Sequence, residues 1–241
     1  MISIVLNSRN KDNNNDGGLP VFLKRLSDSL YDKSNVEVLV KLDKDDSLGI
    51  LELLPLNENN FFGISCKFAL TDRVYYHGLH IGYKEAFSLR SKDSLVSVCM
   101  ADDFVFNKPN WDRDLLQELS SRNFTKDSIF TVVDFRTENL DNIPYAPLWS
   151  TKMIELCDGF GPTYSTDAWS ARINRYLETN IANSVVLFNI GVGRLWNRQV
   201  DGPANVERWS KRDEMMAYVK SKEFDELLNN QCKILKEYTD G

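Results

Sequence analysis

The sequence LVSVCMADDFVF, which runs from Leu95 to Phe106, decides the fold class. It begins with a short apolar run, which predicts a buried strand that ends at Met100. Asp102 and Asp103 then follow almost directly. Two adjacent carboxylates at the carboxyl end of a buried strand lie where open α/β sheets bind their ligands. An exposed acidic turn would have the same sequence, so the interpretation depends on what surrounds the pair.

Similar apolar runs precede this stretch, and helical patterns separate them. Strands are predicted over 2–6, 36–42 and 61–68, with a helix between the first two and a short helix over 48–56. A further helix over 79–89 leads into the strand before the acidic pair. Because strands alternate with helices in this half, we predict a largely parallel sheet with right-handed crossovers.

The second half of the chain carries fewer strand signals. Strands are predicted over 128–133 and 185–190, and helices over 111–119 and 167–177. A long irregular stretch rich in Gly and Pro lies between the first strand and the second helix. Residues 191–203 are predicted as a loop, and the rest of the chain as helical.

Length and composition limit the function classes. The chain has 241 residues, of which 42% are hydrophobic and 27% charged, so we expect one globular domain over 1–241. The formal net charge of -6, with no strongly basic stretch, argues against nucleic acid as a partner. No signal peptide and no apolar run of about 20 residues is present, so we expect a cytoplasmic protein without a transmembrane segment. Peripheral association with a membrane stays open.

Two further carboxylates follow predicted elements. Asp43 ends the second strand, where it could accept a hydrogen bond from a base N–H or a ribose hydroxyl, or lie in a solvated turn. Asp167 begins a helix, where it could cap the helix or act as a general base toward an acceptor hydroxyl. The motifs of P-loop enzymes and of nucleophile-elbow hydrolases are both absent.

The order of these pieces resembles the family 2-like glycosyltransferases with the GT-A fold. The resemblance rests on ISIVLNSRN at the start, on the strand that ends in Asp43, and on HGLHIGYKEAF before the acidic pair. It covers roughly residues 2–180 and implies an α/β, GT-A-type fold whose mostly parallel central sheet is flanked by helices. It also implies that about 1–106 form the nucleotide-sugar-binding half, and about 107–241 the acceptor half and C-terminal helices.

The same resemblance implies how the donor would be held. Asn7 and Arg9 would line the nucleotide pocket after the first strand. Asp43 would face the base, and Asp102 would lie beside the ribose. Asp103 would hold Mn²⁺ or Mg²⁺ on the diphosphate of a nucleotide-sugar donor, for which the resemblance favours a UDP-sugar.

The resemblance also implies a catalytic base, with departures from the family pattern. Asp167 matches the acidic residue that deprotonates the acceptor hydroxyl of a glycan or other acceptor, with Thr166 in place of a preceding Glu. Ala101 replaces the first acid of the D-x-D pattern. Residues 191–205 contain no histidine, so Asn197 or Asp201 would have to serve as the further metal ligand. The implied activity is an inverting, metal-assisted hexosyl transfer.

Two other functions remain compatible with the sequence. A sugar-phosphate nucleotidyltransferase also combines an α/β sheet with acids and a metal, but it usually carries a Gly-rich signature soon after its first strand. Here the glycines of that loop come late, at Gly17 and Gly18. A non-catalytic binding protein on a decayed transferase fold would account for Ala101 and for the missing loop histidine.

Overall fold

The computed structural model describes residues 1–8, 18–44, 60–73, 79–101, 104–133, 148–161, 166–194 and 211–241. The strands in these ranges are β1 (Ile2–Ser8), β2 (Val36–Asp43), β3 (Asn60–Phe61), β4 (Ile64–Thr71), β5 (Val96–Met100), β6 (Phe104–Phe106), β7 (Thr131–Val133), β8 (Leu148–Ser150), β9 (Val185–Leu187) and β10 (Val192–Arg194). The helices are α1 (Leu19–Ser29), a short 3-10 helix (Lys33–Asn35), α2 (Leu79–Phe87), α3 (Trp111–Ser121), α4 (Thr151–Leu156), α5 (Thr166–Asn180), α6 (Arg212–Val219) and α7 (Lys222–Asp240).

The described strands form an eight-stranded central sheet and a separate two-stranded ribbon. The order in the sheet is β3-β4-β2-β1-β5-β8-β7-β9, and the ribbon pairs β10 with β6. Pairing is parallel between β1 and β2, β1 and β5, β2 and β4, and β7 and β9. It is antiparallel at β3–β4, β5–β8 and β7–β8. The mostly parallel sheet predicted from the sequence is therefore confirmed.

The apolar runs of β1 and β2 occupy the middle of this sheet because both of their faces are covered. On one face, Ile4 and Val38 belong to a core that includes Leu23 of α1. On the other face, Val5 and Leu39 belong to a core that the helices α2, α4, α5 and α7 complete. Strands buried on both faces read as continuous apolar runs, which is why the sequence identified them.

Three stretches of the chain differ from the sequence prediction. The strand predicted over 61–68 is a hairpin, because Phe62 and Gly63 take positive φ values of 53° and 87° and turn the chain between β3 and β4. The strand β8 and the helix α4 lie in the stretch predicted to be irregular. The predicted loop over 191–203 begins with a strand, β10, because that segment pairs with β6.

The predicted helix over 48–56 lies outside the described residues. Where the structure does describe the chain, no helix combines the length and the apolar character needed to cross a membrane.

Candidate functional site

The candidate site lies at the carboxyl edge of the parallel strands. β1, β2, β4 and β5 run in one direction, so their carboxyl ends meet at the same edge. The register pairs Asn7 with Lys41, Lys41 with Ala69, and Asp43 with Thr71. Since residues paired in register project from the same face, these side chains share one face near that edge. Open α/β sheets bind their ligands outside this edge.

A buried ion pair occupies the end of β2. The Nζ of Lys41 donates a hydrogen bond to Oδ1 of Asp43. The side chain of Lys41 is 0% exposed and that of Asp43 is 1% exposed. Taking two charges out of water is expensive, and their mutual attraction often fails to repay it. Because this pair lies at the edge where open α/β sheets bind their ligands, both residues are candidates for function.

Asn7 lies beside this pair on the neighbouring strand. Its side chain is half-buried, and the Nδ2 nitrogen is buried without a hydrogen-bond partner among the described residues. A buried polar group left unsatisfied costs about 1–3 kcal/mol. An acceptor atom of a ligand at the carboxyl edge would remove that cost.

The helix α2 covers the same face of the sheet. It packs on β1, β2 and β4. The hydroxyl Oγ1 of Thr71 donates a 2.7 Å hydrogen bond to Oε2 of Glu85 in this helix. Thr71 is the register partner of Asp43, so Glu85 adds a second carboxylate beside the end of β2. The helix thus forms a wall of the edge where Asn7 and Asp43 lie.

The acidic pair itself lies outside the described residues, as does Arg9. Its described neighbours are Ala101, directly after β5, and Phe104, whose N–H donates a 3.3 Å hydrogen bond to the carbonyl oxygen of Ala101. Ala101 lies at the carboxyl end of β5, the strand next to β1, and Phe104 begins β6. The roles of Asp102, Asp103 and Arg9 stay predictions.

The ribbon of β6 and β10 links the segment after the acidic pair to the C-terminal half. Val192 pairs with Phe106 in antiparallel register, and the N–H of Asn107 donates a 2.8 Å hydrogen bond to the carbonyl oxygen of Gly191. Asn197 and Asp201, the residues expected to replace the loop histidine, lie outside the described residues.

Asp167 is the second residue of α5, so the helix start predicted there from the sequence is confirmed. Its side chain lies outside the description. The helix is held by Trp169, which is fully buried and whose Nε1 donates a 2.8 Å hydrogen bond to Oε1 of Gln231 in α7. The ring of Trp169 also packs edge-on against Trp149, with ring centroids 5.4 Å apart. The backbone that carries Asp167 is therefore attached to the buried core.

A different polar cluster lies on the same face at the amino edge of the sheet. Glu37 is 1% exposed and accepts hydrogen bonds from Ser3 Oγ at 2.6 Å, Lys67 Nζ at 2.8 Å, and both the N–H and Oγ of Ser91. Burial alone would raise the pKa of this carboxyl, but these hydrogen bonds outweigh it and lower the pKa below its usual value. This cluster is well satisfied and needs no ligand.

Cysteine chemistry has no place in the site. Cys99 shares the face of Asn7 and Asp43, since it pairs in register with Val5. Burial raises its pKa well above the ordinary value, so the thiol stays protonated at neutral pH. It is an apolar filler of the core rather than a nucleophile.

The described edge offers no ready-made metal site. No group of three or more His, Cys, Asp or Glu side chains that could hold a metal ion occurs in the part of the chain that the structure describes. The Asp43 carboxylate is already paired with Lys41. A divalent ion would depend on Asp103, so metal binding by this chain stays a prediction.

Sequence reasoning missed Lys41, Thr71 and Glu85. Lys41 had a detectable signal, because a lysine inside the run VEVLVKLD interrupts a strand that is otherwise buried on both faces. Thr71 and Glu85 had none, because only the packing of α2 on the sheet brings them to the end of β2.

Solved structures with the same architecture identify the fold. One is the mannosyltransferase PcManGT from Pyrobaculum calidifontis in complex with GDP-Man and Mn²⁺. It is 9% identical in sequence to this chain, with a TM-score of 0.55, and the match covers 98% of this chain and 69% of the mannosyltransferase. S. aureus TarS is 13% identical in sequence to this chain, with a TM-score of 0.54, and the match covers 78% of this chain and 35% of TarS. The structure of TarS 1-349 in complex with UDP is 12% identical in sequence to this chain, with a TM-score of 0.52, and the match covers 78% of this chain and 57% of TarS 1-349.

These likenesses show that the chain has a GT-A-type fold of the nucleotide-sugar transferases. The fold class predicted from the sequence is thereby confirmed. The chain spans about a third of the full TarS structure and less than two thirds of the shorter one. The sequence matches no protein-family profile and no curated protein.

Proposed function

We propose that this chain is a glycosyltransferase that moves a sugar from a nucleotide-diphosphate donor to an acceptor hydroxyl. The observation that carries the proposal is the buried Asp43–Lys41 pair beside Asn7, at the carboxyl edge of a GT-A-type sheet. We take residues 1–106 as the donor-binding half and 107–241 as the acceptor half of one domain. TarS was solved with UDP and PcManGT with GDP-Man, which supports a nucleoside diphosphate as the ligand class.

The polar atoms of this edge suit a nucleobase. Ionised Asp43 only accepts hydrogen bonds, whereas the amide Nδ2 of Asn7 only donates them. A base that presents a ring N–H next to a carbonyl oxygen, as uracil and guanine do, would satisfy both groups. Uracil is our choice because the family resemblance favours a UDP-sugar. Arg9 would add a positive charge near the phosphates, and Asp102 would bind the ribose.

The transfer itself would be a direct displacement. Asp167 accepts the proton of the acceptor hydroxyl while that oxygen forms a bond to the anomeric carbon. The bond from the anomeric carbon to the diphosphate breaks in the same step, and the diphosphate leaves with the electron pair. Because the acceptor attacks opposite the leaving group, the anomeric configuration inverts. A divalent ion held by Asp103 would, when bound, offset negative charge on the diphosphate.

Donor binding is tested by calorimetric titration and thermal shift with UDP, GDP and CDP, with and without Mn²⁺. A ligand at a hundred times its Kd stabilises the folded chain by roughly 2.7 kcal/mol. For a chain of this size that corresponds to a rise in Tm of about 5–10 °C. We expect this rise with UDP, and we expect it to be lost in Asp43→Asn.

The matched control for that variant is Asp72→Asn. Asp72 lies just beyond the end of β4, but its side chain is 91% exposed, and among the described residues its one ion pair is with the exposed Lys44. The control should bind UDP as the unmodified protein does. No thermal shift with any of the three nucleotides would refute the donor site and favour the non-catalytic binding protein.

Catalysis is tested with Asp167→Asn. This variant should keep its affinity for UDP and lose transfer by roughly a hundredfold or more, as expected when a general base is removed. Unchanged turnover would disprove the assignment of the base. Proton NMR of the product gives the anomeric configuration, and a retained configuration would rule out direct displacement. Consumption of UTP together with a sugar phosphate would instead identify a nucleotidyltransferase.

A further inference from the structure

We propose that Gln231, in the C-terminal helix α7, is a positioning residue that fixes where α5 begins and so places the backbone of Asp167. This role rests on the proposed function, since Asp167 acts as the base only in that reaction. Three observations support it: the two hydrogen bonds of Gln231, its place in the buried face of α7, and the close packing around Trp169.

Gln231 bonds to both ends of the segment that leads into α5. Its Nε2 donates a 2.8 Å hydrogen bond to the carbonyl oxygen of Cys157, directly after α4. Its Oε1 accepts a 2.8 Å hydrogen bond from Nε1 of Trp169. Trp169 lies two residues beyond Asp167, so the chain enters α5 between the two bonded residues. One side chain therefore connects both sides of the stretch that carries the base.

The amide of Gln231 lies in the buried face of α7, among apolar neighbours. The buried residues of this helix are Phe224, Leu228, Gln231, Cys232 and Leu235. Apolar contacts are non-directional, so they hold helices together without fixing how far one slides along another. A buried amide must find its partners, because an unsatisfied one costs free energy. The two hydrogen bonds of Gln231 therefore specify one arrangement of α7 against α4 and α5, which a leucine at this position would not.

The packing around Trp169 transmits this restraint to the first turns of α5. The side chain is fully buried, and its ring meets that of Trp149 edge-on. The backbone of Gly161 also comes close, since a Cβ added there would lie 3.2 Å from Cγ of Trp169. Close packing of this kind leaves the ring little freedom to move. A hydrogen bond at its Nε1 therefore restrains the helix backbone as well as the side chain.

The placement of α5 matters for the reaction because a general base must come within hydrogen-bond reach of the proton that it takes. A displacement of about 1 Å can cost about a hundredfold in rate. The proposed donor residues Asn7 and Asp43 lie on β1 and β2, outside the helices that Gln231 joins. Loss of the two hydrogen bonds should therefore lower turnover and leave donor binding intact.

The experiment measures release of UDP from UDP-glucose and from UDP-N-acetylglucosamine, together with the Kd of UDP. Water takes the place of the acceptor: Asp167 accepts its proton, its oxygen bonds to the anomeric carbon, and UDP leaves with the electron pair. Gln231→Met keeps a straight side chain of similar length and removes both hydrogen bonds. Its kcat should fall by about tenfold to a hundredfold, with the Kd of UDP within about twofold of that of the unmodified protein. A kcat within about twofold of the unmodified value would overturn the positioning role.

Two controls separate the position of α5 from the stability of the fold. Asp225→Asn removes another contact between α5 and α7, the exposed ion pair in which Nη2 of Arg172 donates to Oδ1 of Asp225 at 2.6 Å. Leu235→Ala leaves a cavity in the buried face of α7, so it should unfold at a lower urea concentration than the unmodified protein. Both variants should keep their kcat. A loss in Leu235→Ala as large as that in Gln231→Met would assign the effect to packing of α7 and overturn the role of the hydrogen bonds.

A residue that acts through Asp167 should have no effect once the base is absent. Added to Asp167→Asn, Gln231→Met should leave the remaining rate unchanged within about twofold. A further loss of about tenfold would show that Gln231 affects the reaction by another route, which would overturn the positioning role.

Trp169→Phe provides a second test if Gln231→Met does not fold. It keeps an aromatic ring and removes only the Nε1 donor, so one of the two hydrogen bonds of Gln231 is lost. Its kcat should fall while the Kd of UDP stays the same. An unchanged kcat would count against the role of Gln231.

Failure of the proposed function and failure of the role of Gln231 give different results. An unmodified protein that neither binds UDP nor releases it from either sugar nucleotide contradicts the proposed function, and the role of Gln231 with it. Normal release by the unmodified protein and by Gln231→Met, together with a loss in Asp167→Asn, leaves the proposed function standing. Gln231 then serves the fold alone, and the positioning role is overturned.

Discussion

Replacing Gly191 by alanine should destabilise the protein far more than the same change at Gly63. Gly191 precedes β10 with φ at 70°, and an added Cβ would lie 2.5 Å from Cβ and 2.7 Å from the backbone nitrogen of Lys108. Gly63 has φ at 87°, but its added Cβ would meet only the side chain of Lys33, at 2.7 Å from Cδ. A flexible, exposed lysine can move aside, whereas a backbone nitrogen cannot.

The structure gives the size of the difference. A left-handed backbone costs alanine about 1–2 kcal/mol at either position. Forcing an extra methyl against the fixed backbone at Lys108 adds about 1–3 kcal/mol. Gly191→Ala should therefore lose about 2–5 kcal/mol, against about 1–2 kcal/mol for Gly63→Ala. At about 2–4 °C per kcal/mol, the Tm should fall by roughly 4–20 °C in the first variant and by about 2–8 °C in the second.

Urea unfolding followed by tryptophan fluorescence measures both variants, with calorimetry for Tm. The slope of the free energy against urea should be the same for each, because neither change alters the surface that unfolding exposes. Equal stability of Gly191→Ala and Gly63→Ala would refute the reasoning, since it would mean that Lys108 and the β6–β10 ribbon yield without cost.

Three further predictions concern buried side chains that ionise or form hydrogen bonds. Because the folded-state pKa of Glu37 is lowered, its stabilising contribution is present above its ordinary pKa of 4.5 and is lost as the pH falls. Glu37→Gln should thus be less stable than the unmodified protein near neutral pH, with a gap in urea unfolding that narrows in acid; a gap independent of pH would contradict this. Burial raises the pKa of Cys66 and Cys157 to about 12, so folded-state stability should fall as the pH rises from 9.0 toward about 12, and a thiol reagent should label them only after unfolding. Rapid labelling of the native chain would argue against this burial. Gln231→Leu leaves the Nε1 of Trp169 and the carbonyl oxygen of Cys157 without partners, and should cost about 1–3 kcal/mol for each group in urea unfolding; a loss below about 0.5 kcal/mol would show that neighbouring groups replace it.

The central strands could be predicted because their sequence is controlled by burial on both faces. β1 and β2 are mostly apolar runs, and β5 is followed one residue later by the acidic pair, which marks its carboxyl end. The short strands could not be predicted in this way. β8 and β10 have three residues each, too few for any periodic pattern, and their pairing partners are distant in the sequence. Such short strands form because they pair with other strands, not because of the local preference of their residues.

The candidate site was predictable only in part, for a related reason. Asp43 could be selected because its place at a strand end follows from the apolar run before it. Lys41 interrupts an apolar run, but the sequence did not single it out because most lysines extend to solvent. Thr71 and Glu85 depend on how α2 packs on the sheet, which sequence order does not determine.

The buried polar groups at the two edges of this sheet face differ in how completely they are hydrogen-bonded. At the amino edge, Glu37 receives four hydrogen bonds, so the cluster is complete without a ligand. At the carboxyl edge, Lys41 has a single acceptor and Nδ2 of Asn7 has none among the described residues. Unfilled buried hydrogen-bonding capacity reduces stability, so an edge that retains it needs another reason to do so. Because the unfilled donor of Asn7 lies at the edge where open α/β sheets bind their ligands, completion by a ligand is the reason that the physical argument supports.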